Sequence, residues 1–169
     1  MNNNDRLLRL RYALDIKDTD IIKAFELGGQ TISSKEEKAL LTKSGRQKVA
    51  GNDFEENIYD KMLDNQAFDA FLNGFILLKR GAPKNQAGQP TPAPTGEIKH
   101  INNVLLKKVK IALALTSEDL LDILAAAEVY PSKSELSGIM RKEGHRNFKP
   151  CGDNYTRNFL KGLALCYRD

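Results

Sequence analysis

With 169 residues, 41% of them apolar, the chain can bury a real core and suits one medium domain or two small ones sharing an interface. No apolar run approaches the roughly 20 residues that span a bilayer, and the opening Met1-Asn2-Asn3-Asn4-Asp5 lacks the basic-then-apolar pattern of a secretion signal, so a soluble cytoplasmic protein is expected. The net charge of +4 is small: residues 1–81 hold 13 basic and 13 acidic side chains, residues 97–169 hold 12 and 9, and Lys84 supplies the rest, which argues against the strongly basic surface of a dedicated nucleic-acid binder.

In chain order, Leu7, Leu10 and Leu14 mark the apolar stripe of a first helix, with Asn2, Asn3 and Asn4 read as a frayed cap ahead of it. A second helix is expected behind Asp18, burying Ile21, Ile22 and Phe25. Asp15, Asp18 and Asp20 lack the glycine and distal glutamate of a calcium loop, so turn and cap duty explains them. Ser33-Ser34-Lys35-Glu36 is a capping box that opens a third helix. A fourth turns Phe68, Phe71, Leu72 and Phe75 inward. Residues 82–96 carry four prolines and no large apolar side chain, the composition of an exposed tether.

The pattern then returns. Ile101, Val104, Leu105, Val109, Ala112 and Leu113 form one stripe; Ser117 caps a helix burying Leu120, Leu121 and Leu124; Ser132-Lys133-Ser134-Glu135 is a second capping box, ahead of Leu136, Ile139 and Met140. A last helix from about Asp153 to Tyr167 buries Tyr155, Phe159, Leu160 and Leu163. No period-2 strand is evident. Sliding the chain by 99 residues pairs Asn3-Asn4 with Asn102-Asn103, Ala13-Leu14 with Ala112-Leu113, Ser33 with Ser132 and Gly45 with Gly144; beyond that the offset is 88, pairing Phe71-Leu72 with Phe159-Leu160 and Gly74 with Gly162. A fixed offset with one indel indicates an internal duplication, the first copy bearing an 11-residue insertion near 47–57. The expected architecture is all-α: two homologous, helix-turn-helix-like four-helix modules in pseudo-symmetric tandem, at 1–81 and 97–169, joined by the linker 82–96.

Six segments carry a family likeness: Arg9-Leu10-Arg11-Tyr12-Ala13-Leu14-Asp15-Ile16-Lys17-Asp18-Thr19-Asp20, Phe71-Leu72-Asn73-Gly74-Phe75, Ser134-Glu135-Leu136, Arg141-Lys142-Glu143-Gly144-His145-Arg146-Asn147-Phe148, Cys151-Gly152-Asp153 and Asn158-Phe159-Leu160-Lys161-Gly162-Leu163. Through them the chain, apart from its linker, resembles the YehS-like family of bacterial proteins, in which a domain of unknown function occurs twice per chain. The resemblance implies a helical double module and no particular activity. Arg46 stands where the second copy has His145, so a site near His145 is expected only once.

Three features bear on function. His145, Cys151 and Asp153 lie within nine residues, types that serve nucleophilic or zinc chemistry; metal spacing is absent, and a plain connection between helices explains them better. No cofactor or metal is expected, and Cys151 and Cys166 read as reduced structural thiols. Asp119 to Lys142 reads as helix, connection, helix. Around it Lys133, Arg141, Lys142, Arg146, Lys149 and Arg157 are candidates for phosphate contact, with His145 or Asn147 near a base or sugar. Gly74 and Gly162, mid-helix at a cost of about 1 kcal/mol relative to alanine, signal close backbone approach: helix crossing is the preferred explanation, and the alternative is that the fourth helices form a contact between modules or between copies in a homo-oligomer. The reading drawn is a non-enzymatic macromolecule-binding adaptor, protein-binding, using the connection between the third and fourth helices of the second copy. The alternatives are a DNA- or RNA-binding regulator using its basic face and, third, an enzyme with a Cys/His site.

Overall fold

Asn2 opens the first helix of the computed structural model, accepting the backbone N–H of Asp5 while the Asp5 carboxylate accepts that of Asn2, a reciprocal cap. This helix, α1 (Asn3–Leu14), stops at Asp15, whose backbone turns left-handed at φ 49°. Next come α2 (Asp18–Leu27), α3 (Ser34–Leu41), the strands β1 (Lys43–Lys48) and β2 (Glu55–Tyr59), and α4 (Asn65–Arg80). The second half supplies α5 (Ile101–Ala112), α6 (Ser117–Ala126), α7 (Lys133–Met140) and α8 (Asp153–Tyr167). The structure describes residues 1–48, 55–81 and 98–168; the expected linker 82–96 lies outside them, as does the centre of the insertion.

Two expectations about local structure need correcting. The fold is mostly helical but not all-α, because the segments on either side of residues 49–54 pair as antiparallel strands, Lys43 with Tyr59 and Lys48 with Glu55, with an irregularity between Lys43 and Gly45. Every residue of β1 is exposed, so no alternation of apolar residues announced it; the hairpin is tied down by Tyr59, which is buried and donates its hydroxyl to Asp5 at 2.6 Å. Caps also shift by a residue. Thr116, not Ser117, closes a reciprocal box with Asp119, and Lys17, not Asp18, precedes α2, without a side-chain cap. Ser33 and Glu36 form the expected box, whereas Ser132 receives the Glu135 N–H without return, since the Glu135 carboxylate is taken by Lys149 at 2.7 Å.

One apolar core draws on both halves, from Leu7, Phe25 and Phe71 to Leu106, Leu124 and Phe159. Within each half the fourth helix packs on the second, α4 on α2 and α8 on α6; across the halves α1 lies on α8 and α4 on α5. The fourth helices therefore do join the halves, but not through their glycines. A Cβ at Gly74 would stand 1.5 Å from the Ala24 carbonyl oxygen, and one at Gly162 2.1 Å from that of Ile123, so these glycines let α4 and α8 touch the backbones of α2 and α6.

Candidate functional site

Asn103 fixes the connection that carries most of the sequence-predicted site. Buried on α5, its amide donates to the carbonyls of Ile139 at 3.0 Å and Lys149 at 2.9 Å, and its oxygen accepts the Cys151 N–H at 2.8 Å. One side chain thereby satisfies three backbone groups at the two ends of the connection, which the fold would otherwise leave buried and unpaired. Asn4 repeats the arrangement in the first half, donating to Leu40 and Lys61 and accepting from Leu63. Asn3 and Asn102 add a second amide each, to the carbonyls of Leu63 and Cys151. The four asparagines are all buried and form clasps, which overturns the cap reading of Asn3 and Asn4, whereas Asn2 does cap α1.

Between its clasped ends the second connection folds tightly. Backbone N–H groups of His145, Phe148 and Lys149 reach Lys142, His145 and Gly138. Of the eight predicted binding residues, Lys142, His145, Arg146, Asn147 and Lys149 are displayed here, exposed, with Arg141 half-buried at the end of α7. Lys149 is held by Glu135, Lys133 by Glu118 at 3.1 Å, and Arg157, on α8, by the Asn154 side chain at 3.1 Å. Lys142 and Arg146 have no acidic partner among the described residues. Two intervening ion pairs thus interrupt the basic face. The His145 ring accepts the Asn147 N–H through Nδ1; the Cys151 thiol is buried against the Thr156 hydroxyl at 3.4 Å, and burial pushes it above the usual thiol range, the opposite of nucleophile activation. Among the described residues no three His, Cys, Asp or Glu side chains gather to hold a metal.

Two polar clusters escaped the sequence reading. Arg6, buried where the halves meet, donates through Nε to Asn102, through Nη1 to Asn3 and through Nη2 to Asp153. Burial would raise Asp153, but the Asn102 amide and the Arg6 guanidinium outweigh it and hold its carboxyl below the usual range. In the first half Glu37 is buried on α3 and accepts no hydrogen bond. Burial, with the neighbouring Asp18 carboxylate, pushes it up to about 7, while the Arg11 guanidinium on Asp18 at 2.8 Å holds Asp18 low.

A concavity also lies elsewhere, between α1 and α8. It encloses about 550 Å³ over Leu8, Tyr12, Leu160 and Ala164, with Arg9, Arg11, Lys161 and Arg168 around it. Tyr12 is 58% exposed, and the Arg168 guanidinium sits over its ring, 4.2 Å from the centroid. Arg168 also donates to the Tyr12 carbonyl and pairs with Asp15. Aliphatic floor, aromatic wall and cationic rim suit an anionic ligand with an apolar face.

The family described as "Protein of unknown function (DUF1456)" matches residues 3–81 and again 102–169. The chain belongs to the DUF1456 family. Both DUF1456 matches open on the first asparagine of a clasp, Asn3 and Asn102. The chain is 32% identical over 164 residues, covering 97% of it and 95% of the relative, to the "Uncharacterized protein YehS" of Escherichia coli (strain K12). No solved structure matches this DUF1456 chain. Among its described residues no helix is long and apolar enough to cross a membrane.

Proposed function

We propose that this protein is a non-enzymatic cytoplasmic adaptor that binds a protein partner in the α1–α8 groove, its halves acting as a pseudo-symmetric pair of helix-turn-helix-like modules. The observation that carries the reading is the groove itself: a concave, largely apolar surface open to solvent, with an exposed tyrosine, is the kind of site into which a helix or peptide lays its apolar side chains. This moves the binding surface away from the connection between α7 and α8, where ion pairs break up the cationic face. Site-specific photo-crosslinking in cells tests it, with a photoreactive amino acid placed at Tyr12 and, as a control, at Tyr130, which is 78% exposed in the connection between α6 and α7. Protein adducts from position 12, resistant to nuclease and missing from position 130, are expected; their absence refutes the groove as a protein-binding site.

A second reading rests on Lys142 and Arg146, exposed in the connection and without an acidic partner among the described residues. In it they meet nucleic-acid phosphates beside His145 and Asn147, with Lys133, Arg141, Lys149 and Arg157 flanking, and affinity falls steeply as salt rises.

A further inference from the structure

The two places where a first helix lies on a fourth helix differ in one telling respect. At the α4–α5 contact, Lys108 is ion-paired with Asp69, whose side chain is 4% exposed. The offsets of 99 and 88 place Arg9 and Arg157 at the corresponding positions of the α1–α8 contact. Their alignment there follows from the bonds at either end: Arg6 reaches Asp153 where α8 starts, and Arg168 reaches Tyr12 and Asp15 where it ends. The two helices therefore run side by side in the same sense, with Arg9 and Arg157 between these anchors. Where one contact has an internal cation–anion pair, the other has two cations. Lys161, one turn beyond Arg157, adds a third. The nearby acids are already engaged, Asp18 by Arg11 and Asp15 by Arg168, and neither Arg9 nor Lys161 has an acidic partner among the described residues.

We propose that the α1–α8 groove takes an acidic amphipathic helix of a partner protein, its apolar face on Tyr12 and Leu160 and its carboxylates on Arg9, Arg157 and Lys161. This rests on the protein-binding reading above and specifies the partner's chemistry. Charge complementarity sets the sign, because like charges brought together on adjoining helices call for an external anion. The apolar floor excludes a purely electrostatic occupant: a phosphate backbone or an unstructured acidic tail has nothing to place on it, whereas an amphipathic helix presents apolar residues at i, i+3, i+4 and i+7 flanked by glutamates.

The test uses the full chain and three fluorescent synthetic peptides of about 18 residues, long enough for five helical turns. The first carries leucines at helical spacing with glutamates elsewhere, the second the same residues scrambled, and the third lysines for the glutamates. The first is expected to bind at least tenfold tighter than either control. Arg157→Asp installs in this contact the ion pair that Asp69 forms with Lys108, so the melting temperature is expected to hold or rise while affinity for the first peptide falls at least tenfold; Arg157→Ala, which makes no new pair, should weaken binding less. Equal binding of the scrambled peptide, or no loss in Arg157→Asp, overturns the inference. So does preferential binding of a single-stranded or duplex oligonucleotide that is lost in the same variant. If the peptides fail while position 12 still crosslinks to protein in cells, the adaptor reading stands and the acidic partner is refuted; if crosslinking fails too, both fall.

Discussion

Glu37 is a carboxyl held in the wrong solvent, and its removal should stabilise the protein in a pH-dependent way. It is fully buried without a hydrogen-bond donor, at the position where the second half has Leu136. Its ordinary value of 4.5 is pushed to about 7 by burial and by Asp18 beside it, against the smaller pull of Arg11 and Lys38. Below pH 4.5 the acid is neutral in folded and unfolded chains alike, and its native contribution is intact. Between 4.5 and about 7 the unfolded chain gives up the proton that the folded chain keeps, so stability falls as pH rises; above about 7 the deficit is constant. At about 1.4 kcal/mol for each tenfold difference in proton affinity, the full deficit is of order 3 kcal/mol, shared with Asp18, which titrates with it. Urea denaturation of wild type, Glu37→Gln and Glu37→Leu at about pH 5 and about pH 8 measures this. Packing differences are the same at both pH values, so the informative quantity is the change in the stability difference between them. Both variants should gain about 2 kcal/mol or more on wild type from the lower to the higher pH. A difference that does not move with pH, or variants that lose ground at the higher pH, would refute the assignment.

Two further outcomes follow from packing and from the clasps. Gly162→Ala drives a Cβ to 2.1 Å from the Ile123 carbonyl oxygen and should cost about 1–3 kcal/mol despite the better helix propensity of alanine; Gly152→Ala, with nothing within 4 Å, is the control, and equal denaturation midpoints for the two would contradict the close approach of α6 and α8. Asn103→Ala strands the Ile139 and Lys149 carbonyls and the Cys151 N–H, at a cost of about 3 kcal/mol or more, and hydrogen exchange at the Cys151 amide should speed up well before global unfolding; an unchanged exchange rate would mean that the asparagine does not hold the connection.

Much of the helical layout was legible because burial on one face imposes a 3.6-residue rhythm, and Leu7, Leu10, Phe25, Phe71, Leu105, Leu124 and Phe159 are all buried as that rhythm requires. Periodicity says that a helix has a partner, not which one, so the pairing of α1 with α8 and of α4 with α5 could not be read from it. The hairpin was hidden for a different reason: Lys43-Ser44-Gly45-Arg46-Gln47-Lys48 contains no apolar residue, and the strand rests on its backbone ladder and on the anchor at Tyr59. The exposure of Lys142, His145, Arg146 and Asn147 was foreseeable from composition, whereas the pairing of Lys133 and Lys149 with Glu118 and Glu135 depends on which turns of which helices meet. The recurrence of an adjacent asparagine pair at the 99-residue offset was visible but taken for capping, whereas two polar residues repeated ahead of an apolar stripe mark positions where the backbone needs donors inside the fold.

The clasps also explain how the halves tolerate connections of such different length. Asn4 grips Leu40 and Lys61, Asn103 grips Ile139 and Lys149, so the chain between the gripped carbonyls can lengthen without disturbing what lies outside them. By loop-closure entropy the 11 extra residues of the first half cost only about 0.7 kcal/mol. Each clasp makes the segment it spans a replaceable cassette, a hairpin in one half and a short cationic turn in the other, carried on the same kind of helical frame.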